Sequence, residues 1–209
     1  MRLTFLLLLA GIARADLDTA PLEAWLSRQT DVKSLEAEFT QERKLPALKN
    51  PVTTEGILSM ARPGKLRWEL GKPAKTIAVS NGATMTLVDV AKKRARTLPA
   101  DSAKARQFTL LADGALRGDL EGFRATFELV ESRMTHGIYQ LTTKPRERSL
   151  REHVSWVFLD IDPKKNELRA LEFQLEDKSR IRTIFTRTRI NAELPADRFT
   201  VDLEGFTVR

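Results

Sequence analysis

Residues 55–70, EGILSMARPGKLRWEL, constrain this chain more than any other stretch. Two short runs flank Arg62-Pro63-Gly64-Lys65. That tetrapeptide predicts a turn, because proline presets its own φ and glycine accepts the positive φ that such turns often need. Beyond it, Leu66, Trp68 and Leu70 alternate with Lys65, Arg67 and Glu69. One face is apolar and the other charged, which is the signature of a half-buried strand.

The same period of two recurs along most of the chain. Leu35, Ala37 and Phe39 alternate with Glu36, Glu38 and Thr40. Residues 45–54 contain Pro46 and Pro51 and predict a loop or a ragged hairpin end. Runs 75–79 and 85–88 flank Asn81-Gly82, which predicts a hairpin with positive φ at both central residues. Further strands are expected at Phe123, Ala125, Phe127 and Leu129, and at Tyr139, Leu141 and Thr143. Residues 154–161, VSWVFLDI, form a nearly continuous apolar run that predicts a strand covered on both faces. Leu171, Phe173 and Leu175 form another strand, then Ile181, Thr183 and Phe185, with a closing segment at 192–208. Helical spacing appears in two places. Leu22, Trp25, Leu26 and Val32 share one face after Asp18, Thr19 and Pro21, which suit a helix start. Residues 102–120 read as two short helices around Asp113-Gly114. Roughly ten strands and about three helices result, a mainly β fold of the α+β class. A mostly antiparallel sheet of that size curls on itself, which predicts an unclosed half-barrel covered by a helical lid.

Residues 1–15 stand apart. Arg2 precedes an apolar run at 3–12, and Ala13-Arg14-Ala15 offers a small-residue cleavage site before Asp16. This is the pattern of a secretory signal peptide cut after Ala15, leaving one domain at 16–209. The run is too short for a transmembrane helix, which needs about 20 residues. The chain has no cysteine, so no disulfide framework forms and no lipidated cysteine follows the cut; a soluble mature protein is expected. Without the leader, 33 basic and 28 acidic side chains remain from the 35 and 28 of the full chain, a net charge of +5. The basic residues alternate with acids along strands and do not gather in an aromatic-laced patch, which argues against nucleic-acid binding. Lys92, Lys93, Arg94 and Arg96 are clustered, and a charged strand edge protected from pairing explains them best. His136 and His153 lack metal-ligand spacing, and neither a nucleophile elbow nor a phosphate or dinucleotide loop is present. No metal, cofactor or catalytic residue is expected.

The turn at 62–65 with its tryptophan strand, the F-T-Q at 39–41, the segment from Pro73 to Gly82 and the P-A-D-R-F-T-V near the end occur in an order that resembles the periplasmic outer-membrane lipoprotein carriers of the LolA type. The resemblance spans nearly the whole chain after the leader. It implies a monomeric periplasmic shuttle. Such a protein takes acylated lipoproteins from an inner-membrane releasing transporter, shields their acyl chains in an apolar cavity and hands them to an outer-membrane acceptor. It also implies that Arg62 lies under the lid at 102–120 and bonds its backbone carbonyls as a latch. Phe39, Leu66, Trp68, Leu70, Phe127, Leu129, Trp156, Phe158 and Phe173 are the candidate lipid contacts, with Leu66 and Trp68 foremost because they sit in the recognised hairpin. Lys104, Arg106 and Arg117 charge the lid region, and this leaves open a carrier of another lipid or glycolipid. An enzyme using the half-barrel as an active-site cup is the reading from a different class.

Overall fold

The computed structural model describes residues 17–102, 104–106, 108–109 and 118–209. Among the described residues twelve strands make one sheet: β1 (Ser34–Lys44), β2 (Val52–Ala61), β3 (Lys65–Leu70), β4 (Thr76–Asn81), β5 (Thr84–Asp89), β6 (Arg94–Pro99), β7 (Phe127–Thr135), β8 (Ile138–Pro145), β9 (Val154–Asp162), β10 (Glu167–Leu175), β11 (Arg180–Ile190) and β12 (Thr207–Val208). Their order is β12-β6-β5-β4-β3-β2-β1-β11-β10-β9-β8-β7. Two meanders are joined where β11 lies antiparallel to β1, and only β12 runs parallel to its neighbour. The terminal strands β12 and β7 do not meet, so the sheet is the unclosed half-barrel the alternation predicts.

The concave side holds the main core. Helix α1 (Ala20–Gln29) lies there on Leu22, Trp25 and Leu26, all buried. Its start uses Asp18, whose Oδ1 accepts from Ala20 N at 3.1 Å, while the Thr19 hydroxyl donates to Glu23 Oε1 at 2.6 Å. Val157, Leu159 and Ile161 face it from β9, and Tyr139 and Leu141 from β8. A second, smaller core sits apart from it. Ile77, Val79, Val88 and Ala95 are covered by Phe199, Val201, Leu203 and Phe206 of the C-terminal segment.

Four expectations are corrected. Phe123 and Ala125 are not in a strand: α2 (Leu120–Thr126) occupies that stretch, with Asp119 Oδ1 accepting from Gly122 N at 2.6 Å as its cap. A spacing of four places Phe123 over Phe127 as well as a spacing of two would, and their rings lie 4.7 Å apart. The F-T-V closing strand is instead a 3-10 turn at Ala196–Phe199 followed by irregular chain. At the Asn81 hairpin only Gly82 has positive φ, +100°, while Asn81 Oδ1 accepts from Ala83 N and Thr84 N. A glycine at the first central position is the type II′ pattern, not type I′. Strand β9 is covered by a layer on one face only, since Trp156 and Phe158 alternate with the buried Val157 and Leu159 and lie half-buried on the convex side.

Gly56 of β2 shows how tightly the concave wall is built. A Cβ there would lie 2.3 Å from Phe39 Cζ and 2.4 Å from the backbone oxygen of Glu69. The ring can turn aside only by losing its contact with Trp68, and the backbone cannot move alone. Gly56→Ala is expected to cost about 1–3 kcal/mol, the range of core overpacking. The check is urea denaturation, read as a lower midpoint at unchanged slope.

Candidate functional site

The β2–β3 hairpin separates its residues by parity. Leu58, Met60, Leu66 and Trp68 face the concave side, whereas Ser59, Arg67 and Glu69 face the convex side. At its tip the Arg62–Pro63 peptide is cis and Gly64 has φ +62°. This turn touches the neighbouring one, because buried Ser80 donates its hydroxyl to Gly64 O at 3.1 Å and accepts from Gly82 N at 3.2 Å.

Behind the hairpin a polar network replaces apolar packing. Arg67 Nε donates to Glu69 Oε1 at 2.7 Å and its Nη1 to Thr200 O at 2.7 Å. Arg198 reaches Ser59 Oγ at 2.9 Å and Glu69 Oε2 at 3.3 Å. The C-terminal segment is thereby fixed to the back of the strands whose front faces carry Leu66 and Trp68.

In front lies an apolar cavity of about 190 Å³. Leu58, Met60, Leu66 and Trp68 supply one wall, and Leu35, Phe185 and Ile190 the next. Leu168 and Leu171 close the far side, and Trp25, Val32 and Phe108 come from the covering elements. The charged groups at its border, Lys33, Arg62, Lys65 and Glu167, lie in or beside turns of the strand ends, so the opening is at the rim formed by the β2–β3 and β9–β10 turns. Arrayed so, the site can hold a hydrocarbon by burial alone. Among the described residues no group of three metal-ligating side chains occurs.

Of the nine residues the sequence singles out as lipid contacts, Leu66 and Trp68 line the cavity. Phe39 lies one layer behind them. Its ring is 4.6 Å from that of Trp68 and 6.3 Å from that of Phe185, so it props two wall residues without bordering the space. Leu70, Leu129 and Phe173 pack against the edge of the main core, and Phe127 is fully buried beneath α2. Trp156 and Phe158 are on the opposite face of the sheet, with Lys144 Nζ 4.2 Å from the Trp156 ring centre and Arg180 5.7 Å from that of Phe158. Lining residues that the pattern did not single out as lipid contacts include Leu35, Leu58, Met60, Leu171, Phe185 and Ile190. Leu171 and Phe185 were readable as inward strand positions, but nothing in the sequence says which inward positions meet space and which meet other side chains.

Arg62 lies at the rim with its side chain exposed, and its Nη2 donates to Gln29 O at 2.6 Å, the last carbonyl of α1. A helix end leaves such carbonyls without intrahelical donors and carries partial negative charge, so a guanidinium is well matched to it. Two more bonds hold α1 across the rim: Asn166 Nδ2 to Ala24 O at 2.8 Å and Arg28 Nη1 to Lys165 O at 2.8 Å. The segment expected as the lid, 102–120, is described only in part, since residues 103, 107 and 110–117 lie outside the described residues. Its residues 104–106 and 108–109 are helical, Phe108 borders the cavity, and Arg106 pairs with Glu147. Arg62→Leu removes the bond to α1 without disturbing the turn. Amide exchange at residues 26–30 should quicken while the urea midpoint scarcely moves; unchanged exchange there would show that the bond does not hold the helix end.

The profile of the family described as outer membrane lipoprotein carrier protein LolA matches residues 30–202. An outer-membrane lipoprotein carrier protein of Chromohalobacter salexigens is 27% identical over 198 residues, covering 93% of this chain and 89% of the relative. The protein of the same description from Methylibium petroleiphilum is 30% identical over 207 residues, 98% of this chain and 92% of its own length. Among solved structures, an uncharacterized conserved protein from Thermus thermophilus superposes with a TM-score of 0.53 at 9% identity, over 91% of this chain and 98% of its own, a likeness of fold alone.

Proposed function

The chain belongs to the outer membrane lipoprotein carrier family, and from that premise we propose that it carries acylated lipoproteins through the periplasm with their acyl chains held in the concave cavity. The observation that carries this reading is the wall itself. Leu58, Met60, Leu66, Trp68, Phe185 and Leu171 belong to or pack against the main core and together border one apolar cavity on the concave side. Burial of a hydrocarbon is worth about 0.8 kcal/mol per methylene, so a chain of a dozen or more carbons is too costly to leave in water. The carrier has to match that burial and still let go. Cargo would arrive from an inner-membrane transporter and leave to an outer-membrane acceptor, and no catalytic group takes part.

The cavity at rest is smaller than the roughly 300–1,000 Å³ of sites that enclose drug-sized ligands. Loading therefore has to displace the cover. In this reading Arg62 is the latch, and it acts on a cover that includes α1 as well as the 102–120 segment. A guanidinium bonded to a helix-end carbonyl at an exposed rim is weak enough to release and directional enough to re-form. Phe108 and Trp25 would be the first side chains an entering acyl chain replaces.

Identifying what co-purifies with the processed protein from its own envelope tests the reading. An acylated lipoprotein supports it; a small polar metabolite turned over in solution rejects it in favour of an enzyme. Residue by residue, Leu66→Glu places a carboxylate in the wall and should weaken lipoprotein capture by roughly tenfold or more, an effect of at least about 1.4 kcal/mol. Phe158→Ala, on the far face, should leave capture unchanged. Equal losses in both would mean that the cargo lies elsewhere.

A further inference from the structure

Among the described residues two side-chain polar atoms are buried without a hydrogen-bond partner, Arg106 Nε and Asn166 Oδ1. Arg106 is paired with Glu147 through its other nitrogen and does not border the cavity, whereas Asn166 does. A buried acceptor left without a donor is uncommon in folded proteins, because the group has lost its water and gained nothing in return.

The local chain explains how the amide reaches this place. Asp162 Oδ1 accepts from Lys164 N at 3.0 Å and from Lys165 N at 3.2 Å, and Asn166 then takes φ +58° before β10 begins at Glu167. A left-handed turn position accounts for asparagine or glycine in the sequence. It does not account for an amide set beside an apolar cavity with one half in use. That half is Nδ2, which donates to Ala24 O of α1 at 2.8 Å. The bond also fixes which end is the oxygen, since the reversed amide would set two carbonyl oxygens against each other. Gln29, the other side-chain amide at the cavity, donates to Trp25 O at 3.0 Å and has no such buried, unused atom.

The apolar wall around Asn166 offers Oδ1 no donor, and neither does a hydrocarbon. The linkage at the end of an acyl chain can. An amide linkage carries an N–H, an ester carries only oxygens, and an ionised acid brings negative charge to an oxygen that cannot answer it. Asn166 is tied to Ala24, ahead of the exposed end of α1, so its oxygen keeps its place when that end gives way.

We propose that Asn166 Oδ1 is the polar recognition group of the cavity: as the rim opens, it accepts a hydrogen bond from the N–H of an amide joining an acyl chain to its cargo. The site thereby selects amide-linked over ester-linked chains. This rests on the carrier reading and narrows it to a class of linkage. A site that buries an acceptor for a ligand N–H rejects the analogue lacking that group, because the acceptor is then left unpaired.

Two matched probes test it on the processed chain by isothermal titration. One is dodecanoyl-triglycine, joined by an amide; the other has glycolic acid in place of the first glycine and is joined by an ester. The amide should bind at least about fivefold more tightly. Asn166→Gly, which keeps the turn conformation, should bind the two alike, and Asn166→Asp, which keeps an acceptor, should retain the preference. A loosened helix would change both affinities together and leave their ratio alone. Equal affinity of the unaltered chain for the two probes overturns the proposal and leaves acyl burial standing. A preference that survives in Asn166→Gly overturns it too, and binding of neither probe removes the carrier reading with it.

Discussion

A curled antiparallel sheet of this size has more inward-facing apolar surface than its few helices can cover, and the rest of the molecule follows from that mismatch. Helix α1 has ten residues, so it spans about 15 Å, less than the breadth of a sheet whose strands sit about 4.8 Å apart. Where α1 and α2 lie on the sheet, Leu22, Leu26, Phe123 and Phe127 are completely buried. Where they do not, the same inward pattern on β2, β3 and β11 is covered only in part, and a cavity remains. No special residue makes this site. It is made by ordinary core positions deprived of partners.

The convex side answers the complementary problem. A wall facing an empty space lacks the packing that normally holds strands straight, and the β2–β3 hairpin is held from behind. The Arg67–Glu69–Arg198 pairs are mostly shielded, with side-chain exposures of 14–23%, and each arginine also bonds the C-terminal segment or the strand. Isolated surface ion pairs contribute little, but a shielded network with forked arginine geometry is a more rigid element. Phe39 does comparable work from within, its ring tilted against that of Trp68 and edge-on to that of Phe185. The wall is thereby fixed while the cover in front of it rests on exposed hydrogen bonds, and that difference in anchoring determines which side yields.

How much of this could be read beforehand depends on what each pattern encodes. Period two on residues 55–70 placed Leu66 and Trp68 together correctly, because alternation depends only on the pleat. The run at 154–161 misled, since apolar residues on both parities suggest two covering layers, yet Trp156 and Phe158 are half-buried with Lys144 and Arg180 over their rings. Long cationic side chains with apolar stems serve as such covers, and no periodicity reports them. Phe123, Ala125 and Phe127 fit a strand and a helix equally; the decisive mark was Asp119, three residues before the glycine it caps, a polar detail outside the apolar pattern. Arg62 was legible as a rim residue, but its partner was not. A carbonyl at the end of α1 has no side-chain signature.

The three bonds across the rim have a further consequence for how a cover of this kind moves. Arg62, Asn166 and Arg28 engage α1 between Ala24 and Gln29, Leu22, Trp25 and Leu26 pack on the sheet along its length, and the Tyr139 hydroxyl holds Asp18 O at 2.6 Å at the other end. Burial holds the helix as far as Leu26, and beyond it Ser27 and Arg28 are exposed. Breaking a few exposed hydrogen bonds costs far less than withdrawing two large side chains from a core. Opening should therefore begin at the end of α1 beyond Leu26, which widens the rim and leaves the wall backed by Phe39 intact. An apolar chain entering at the rim meets Trp25 of the helix and Trp68 of the wall, so the first methylenes buried lie between two indoles.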